Sequence, residues 1–337
     1  MTNSKKIVQM PDSCSSTSNS SSSTSNLEHR TSNLSLLVLG GEGMLGHKVF
    51  QSLSDRYPGT KCTIFGSLKD PLYVANPLFN EKNTIEKVDA MDLHFLSKLL
   101  EKEKPDSMIN CIGIVKQRDE GKMAIPSITI NSLLPHLLAK WAETWGGRLI
   151  HFSTDCVFSG KKGNYSEDDS SDAEDLYGKS KFLGEVATQN ALTLRTSIIG
   201  RELSHFQSLL EWFLAQKDKK VKGFKKVIYS GVTTNHIAEL VGTIISEHPG
   251  LTGLYQITAP SITKYDLLVR IREAYKLDVE IVPENNEISD RSMIGDHFRK
   301  ATGYKEPSWD ELIDQLAGDK TPYDSIKVRG SKFDVRG

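Results

Sequence analysis

The chain has 337 residues, 38% hydrophobic and 25% charged, with a formal net charge of -1. This balance supplies a large core but no basic excess for a nucleic acid, and no apolar run of about 18 residues stands ready to span a bilayer. Cys14, Cys62, Cys111 and Cys156 lie far apart without a C-x-x-C pair, which indicates neither a zinc site nor a disulfide framework, and the N-terminus lacks an apolar export signal. A soluble protein of the reducing cytoplasm fits best.

Residues 1–33 differ from the rest. The run DSCSSTSNSSSSTSN, Asp12 to Asn26, is Ser, Thr and Asn almost throughout. So little apolar surface cannot offset the entropy of ordering, and the stretch reads as a disordered Ser-rich tail. From Leu34 the strand candidates in chain order are LSLLVLG, KCTIFGS, IEKVDA, SMINCIGI, RLIHFST and ALTLRTSII. Between them, GMLGHKVFQSLSDRY, DLHFLSKLLEKE and INSLLPHLLAKWAETW have helical periodicity. Continuously apolar strands alternating with helices predict an α/β fold, a Rossmann-type doubly wound parallel sheet over residues 34–200. Beyond it come helices SHFQSLLEWFLAQ, HIAELVGTIISEH and KYDLLVRIREAY, with strands KVIYS, LYQIT and VEIV. Residues 201–337 read mainly as a smaller C-terminal α/β lobe, with a return to the sheet domain at about 225–258.

The first strand runs straight into GGEGMLG, where Gly40, Gly43 and Gly46 are spaced three apart and a helix begins at once. Glycine allows a sharp turn and close approach to a pyrophosphate, and the free N–H groups of Met44, Leu45 and the new helix attract an anion. This predicts a dinucleotide site. At the end of the second strand a carboxylate would repel a 2′-phosphate, whereas Ser67 can hydrogen-bond to one and Lys69 can pair with it, which favours NADPH over NADH. Asp89 and Ala90 at the third strand end, and Cys111, Ile112 and Gly113 at the fourth, point into the same crevice. Asp89 serves equally well as a helix N-cap.

Tyr177 and Lys181 in DLYGKSKFLGE share one helix face a turn apart. The same spacing occurs at Tyr57 and Lys61 and at Tyr323 and Lys327, so position decides. Tyr57 is followed by the helix-breaking pair Pro58-Gly59, and Tyr323 stands near the C-terminus, far along the chain from any glycine loop or strand end. Only Tyr177 follows a Ser-Thr strand end, Ser153-Thr154, with a glycine loop upstream. If that helix abuts the fifth strand, the hydroxyls of Thr154 and Tyr177 meet where a nicotinamide would lie. Tyr177 is then a proton donor for carbonyl reduction, Lys181 an ammonium that favours the phenolate, and Thr154 a group that holds the substrate oxygen.

The ordered set GGEGMLG, INCIGIVK, STDCVFSG, YGKSKFLGE and LRTSIIG resembles the extended short-chain reductases of the dTDP-4-dehydrorhamnose reductase type, from about Leu34 to Leu316. The resemblance implies a keto-sugar nucleotide as substrate and matches Thr154, Tyr177 and Lys181 to the catalytic set, with Ser153 beside the cofactor. Sugar-nucleotide dehydratases carry an Asp-Glu pair after the threonine, where this chain has Asp155 and Cys156, which argues against elimination. Ile198 replaces an aromatic frequent near the sugar, and Arg291 in the late segment could contact the nucleotide phosphates or form a surface salt bridge. Two alternatives share the motifs: a 4-epimerase that retains NAD, and a non-catalytic subunit such as the beta subunit of eukaryotic methionine adenosyltransferase. The expected partner is a nucleotide sugar, not a nucleic acid or a membrane, and a homodimer is compatible with the sequence.

Overall fold

A computed structural model describes residues 34–115, 122–324 and 326. The Ser-rich tail and Lys327 lie outside the described residues. Seven strands form one sheet in the order β10-β6-β5-β4-β1-β2-β3, and every pairing in it is parallel. Its members are β1 (Leu36–Leu39), β2 (Lys61–Thr63), β3 (Thr84–Ile85), β4 (Ser107–Asn110), β5 (Arg148–Thr154), β6 (Ala191–Thr196) and β10 (Gly253–Gln256).

Strand alternation divides the core between the two faces. Leu36 and Val38 of β1 join Val49, Phe50 and Leu53 of helix α1 (Gly46–Arg56) in one cluster, while Leu37 and Leu39 join Leu96 and Leu100 of a helix over Leu93–Glu103 in the other. Residues of both parities are therefore fully buried, which is why β1 reads as an unbroken apolar run. The strands β2 and β3 are shorter than the runs KCTIFGS and IEKVDA. Phe65 to Asp70 instead forms a turn held by side-chain carboxylates.

The helical pattern over residues 130–145 begins as a π-helical segment, Ile128–Leu133, before an α-helix at Leu134–Glu143. Pro135 has no N–H to give the carbonyl four residues back, that of Asn131. Gly184 packs against that carbonyl so closely that a Cβ there would lie 1.8 Å from the oxygen. This contact seats the helix α6 (Leu176–Leu183), which carries Tyr177 and Lys181, beside the sheet.

A second sheet pairs β8 (Lys219–Tyr229) with β11 (Ile262–Thr263) on one side and β12 (Val279–Asp290) on the other. A two-stranded piece, β7 (Ile198–Ile199) with β9 (Val232–Thr233), follows directly on β6. These elements bring Ser197, Tyr229 and Arg291 to the C-terminal end of β5. Helix α8 (Thr234–Glu247) then returns the chain to pack against α1, ahead of β10.

Candidate active site

The glycine loop joins β1 to α1. Gly40 has φ +76, a left-handed value that glycine adopts without strain, and a Cβ there would stand 2.9 Å from the Ile112 side chain. A Cβ on Gly46 would fall 1.9 Å from the Gly40 carbonyl oxygen, so the third glycine lets the helix start against the strand end. Gly43 differs: a Cβ there would meet only the Gly40 oxygen at 3.4 Å, which leaves its outer side open. Leu45, the N-cap residue of α1, makes no side-chain cap, and the first-turn N–H groups of a helix lack acceptors inside the helix, that of His47 being taken by the Gly43 carbonyl. The loop therefore fits the pyrophosphate of a dinucleotide.

The end of β2 is ringed by acids. Glu42 accepts from the Phe65 amide at 2.9 Å, Asp70 from the Ser67 amide at 2.7 Å, and Glu86 from the Leu68 amide at 2.8 Å and the Ser67 hydroxyl at 3.1 Å. These bonds to the Leu68 amide and Ser67 hydroxyl, and then the nearby Lys87 and Lys69, hold Glu86 ionised below the usual carboxylate range. Ser67, the residue on which a 2′-phosphate preference rests, is thus already engaged by a carboxylate. Exposed Asp89 accepts from the Met91 amide at 2.8 Å, and the helix N-cap belongs to Asp92 instead. Ala90 is buried beside it, Cys111 and Ile112 line the end of β4, and Gly113 faces Asn131.

At the end of β5, Thr154 is buried; its hydroxyl donates to Asp155 Oδ1 at 3.0 Å and accepts from the Cys156 amide at 3.2 Å. The Tyr177 phenol stands close enough to that hydroxyl for Thr154 to act on its ionisation. Burial pushes the phenol well above its ordinary pKa, Cys156, Asp155 and Asp175 push the same way, and Thr154 pulls it back. The phenol is therefore raised by its burial, and Lys181, expected from the sequence to lower it, is turned to the backbone of β5. Its Nζ donates to the Phe152 carbonyl at 2.6 Å and lies 3.5 Å from His151 Nε2. Lys181 is buried, which brings its pKa down to about 8, with Glu185 and Cys111 holding it up.

Ser153 donates to Glu185 Oε1 at 2.6 Å, and Glu185 is paired with Arg195 at 2.9 and 2.7 Å, both nearly fully buried. Asn131 donates to the Ser180 hydroxyl at 3.2 Å and exchanges two bonds with the Ile114 backbone, tying the end of β4 to α6. Glu185, Arg195, Asn131 and Ser180 went unread in the sequence, whereas Ser153 was placed beside the cofactor. Arg195 does carry a signal, since a cation inside an apolar strand requires a buried partner. Next to Thr154, burial raises the Asp155 pKa while Thr154, Arg291 and Ser197 lower it. Arg291 donates to the Phe158 carbonyl at 2.9 Å and Tyr229 stands beside Asp155, with Ile198 half-buried nearby.

Of the two other Tyr–Lys spacings, Tyr57 ends α1 while Lys61 lies in β2, so they share no helix. Tyr323 corrects the expectation set by its distance along the chain. Its hydroxyl lies 2.8 Å from His47 Nε2, and His47 Nδ1 lies 2.9 Å from the Gly43 carbonyl, within the glycine loop itself.

The family model described as RmlD substrate binding domain matches residues 34–314. Among curated proteins the chain is 29% identical over 192 residues to the spore coat polysaccharide biosynthesis protein SpsK of Bacillus subtilis, covering 55% of this chain and 66% of that one. It is 23% identical over 320 residues to mouse methionine adenosyltransferase 2 subunit beta, covering 83% and 89%. The dTDP-4-dehydrorhamnose reductase of Bacillus anthracis in complex with NADP superposes with a TM-score of 0.68 at 18% identity over 84% of this chain and 98% of that one. Glycine loop, strand-end hydroxyl and Tyr–Lys helix all fall inside the matched span, and the chain belongs to the RmlD substrate binding domain family, within the extended short-chain reductases.

Proposed function

We propose that the protein reduces the 4-keto group of a nucleotide-linked 6-deoxyhexose, using a nicotinamide dinucleotide held by Gly40, Gly43, Met44, Leu45 and Gly46. The observation that carries this reading is that Thr154 ends β5 at the same sheet end as the glycine loop, with the helix of Tyr177 beside it and Lys181 buried one helical turn on and bonded to the Phe152 carbonyl of that strand. A bound nicotinamide supplies the hydride. The protein supplies the proton: a phenol kept protonated by burial can donate to the developing alkoxide oxygen, while Thr154 fixes that oxygen's position. Lys181 offers a cation to the coenzyme's ribose, and Arg291, which acts on Asp155, offers one to the nucleotide phosphates.

Lys69 supports NADPH as the coenzyme. NADH is a second reading, favoured by the Glu86 carboxylate on the Ser67 hydroxyl, which would repel a 2′-phosphate. The relatedness to methionine adenosyltransferase beta subunits favours a binding role as the alternative to catalysis.

The test is a panel of dTDP-, UDP- and GDP-linked 4-keto sugars with each coenzyme, followed by cofactor absorbance, alongside direct titration of NADH and NADPH. Tyr177→Phe is expected to leave coenzyme affinity nearly unchanged and to lower turnover about 100-fold or more. Full activity in that variant would remove Tyr177 from the mechanism. Coenzyme binding without turnover on any substrate would favour the subunit role.

A further inference from the structure

The segment Asp319–Tyr323 reaches the glycine loop through a single side chain, and counting protons along the contact fixes its direction. Asp319 already receives Lys48 Nζ at 2.9 Å, Asn235 Nδ2 at 3.2 Å and the Thr321 amide at 3.0 Å. The Tyr323 hydroxyl donates to Asp319 Oδ2 at 2.9 Å and lies 2.8 Å from His47 Nε2. At the other end the Gly43 carbonyl can only accept. A neutral His47 then carries its proton on Nδ1, toward Gly43, and leaves Nε2 as an acceptor facing the Tyr323 hydroxyl, for whose single proton it competes with Asp319. Burial favours that neutral form. The Gly43 carbonyl also receives the His47 backbone amide at 3.0 Å, so one residue grips it twice.

A trans peptide is planar, so fixing the Gly43 carbonyl also fixes the Met44 N–H, which points the opposite way. That N–H is among the donors an anion at this loop would use. The tyrosine is itself held: Arg201 sits 4.5 Å from its ring centroid, and the ring meets His47 edge to face. We infer that Tyr323 is a positioning residue for the dinucleotide, setting the phosphate loop from the C-terminal segment through His47 and Gly43. The inference rests on the dinucleotide reading of that loop.

A matched pair elsewhere provides the control, because Tyr304 makes the same kind of bond to His236 Nε2 at 2.7 Å without reaching the loop. The full-length protein and its Y323F and Y304F variants would be compared by calorimetric titration with NADH and NADPH, and by hydrogen exchange of the segment Gly40–Gly46. Loss of one hydrogen bond is expected to raise the dinucleotide Kd of Y323F about 3- to 10-fold, against less than about twofold for Y304F. Exchange of the loop segment should be faster in Y323F alone. Equal affinity and equal exchange in the two variants would overturn the inference. If the unmodified protein binds neither dinucleotide, the reading of the loop falls, and exchange still decides the coupling: acceleration confined to Y323F supports it, and none refutes it.

Discussion

Lys181 and Glu185 divide their work across one turn of chain, and the consequence is a pH dependence. In the proposed reaction Lys181 acts as a cation; burial brings its pKa down to about 8, and the Glu185 carboxylate is the foremost group holding it up. The Tyr177 phenol is pushed well above its ordinary value and stays protonated throughout the working range. Turnover should therefore fall as pH rises through about 8, where the Lys181 charge is lost. In Glu185→Gln the ammonium loses its supporting charge, and this limb should move to lower pH. That substitution also strips Arg195 of a buried partner, at a cost of about 3–5 kcal/mol, so rates belong well below the variant's melting temperature. An unmoved limb in Glu185→Gln would detach the profile from Lys181. At this scale Thr154, Tyr177 and Lys181 are legible by position and not by spacing, because only Tyr177 follows a Ser-Thr strand end with a glycine loop upstream. The aim of Lys181 at the Phe152 carbonyl is not legible, since it follows from how α6 is seated.

Elements are legible where a periodic run buries both faces, as in β1 and β5, and less so where side chains take over the backbone's hydrogen bonds. The Phe65 to Asp70 turn is the case in point, because Glu42, Asp70 and Glu86 occupy amides that a longer β2 would pair. The glycine loop shows the converse, a short motif whose geometry is dictated almost residue by residue. Gly46→Ala would drive a methyl to 1.9 Å from the Gly40 carbonyl oxygen and 2.9 Å from its carbon, a clash of backbone with backbone that no rotamer change relieves. The helix must then part from the strand, at a cost of about 1–3 kcal/mol, and dinucleotide affinity should be lost with it. Gly59→Ala, where a Cβ meets nothing within 4 Å, should alter stability by no more than about 0.5 kcal/mol. Thermal melts and coenzyme titration of the two variants would check this, and a Gly46→Ala protein that binds normally would contradict it.

For the whole molecule, the contact least legible in the sequence is the one of longest range. Tyr323 and His47 lie 276 positions apart, and no local pattern announces their meeting. Burial there makes the fold sensitive to acid. His47 is fully buried and its pKa falls from 6.5 to about 4, chiefly through burial, with the Gly43 carbonyl and Asp319 opposing. Between those values the unfolded chain takes up a proton that the folded one refuses, so stability present above pH 6.5 is lost as pH falls toward 4. The difference corresponds to about 3 kcal/mol for His47. His236, also lowered to about 4, adds a loss of the same sign that its partial exposure makes smaller. Burial opposes the charge on Asp319, but the Thr321 amide and the Lys48 ammonium outweigh it and hold its carboxyl well below the usual range. That group stabilises the fold above an ordinary carboxylate pKa and loses its contribution on further acidification. Melting temperatures taken from pH 7.5 to pH 4.5 should accordingly begin to fall near pH 6.5, before Asp319 titrates. Melting that stays level down to about pH 4.5 would show that neither histidine is held neutral by the fold.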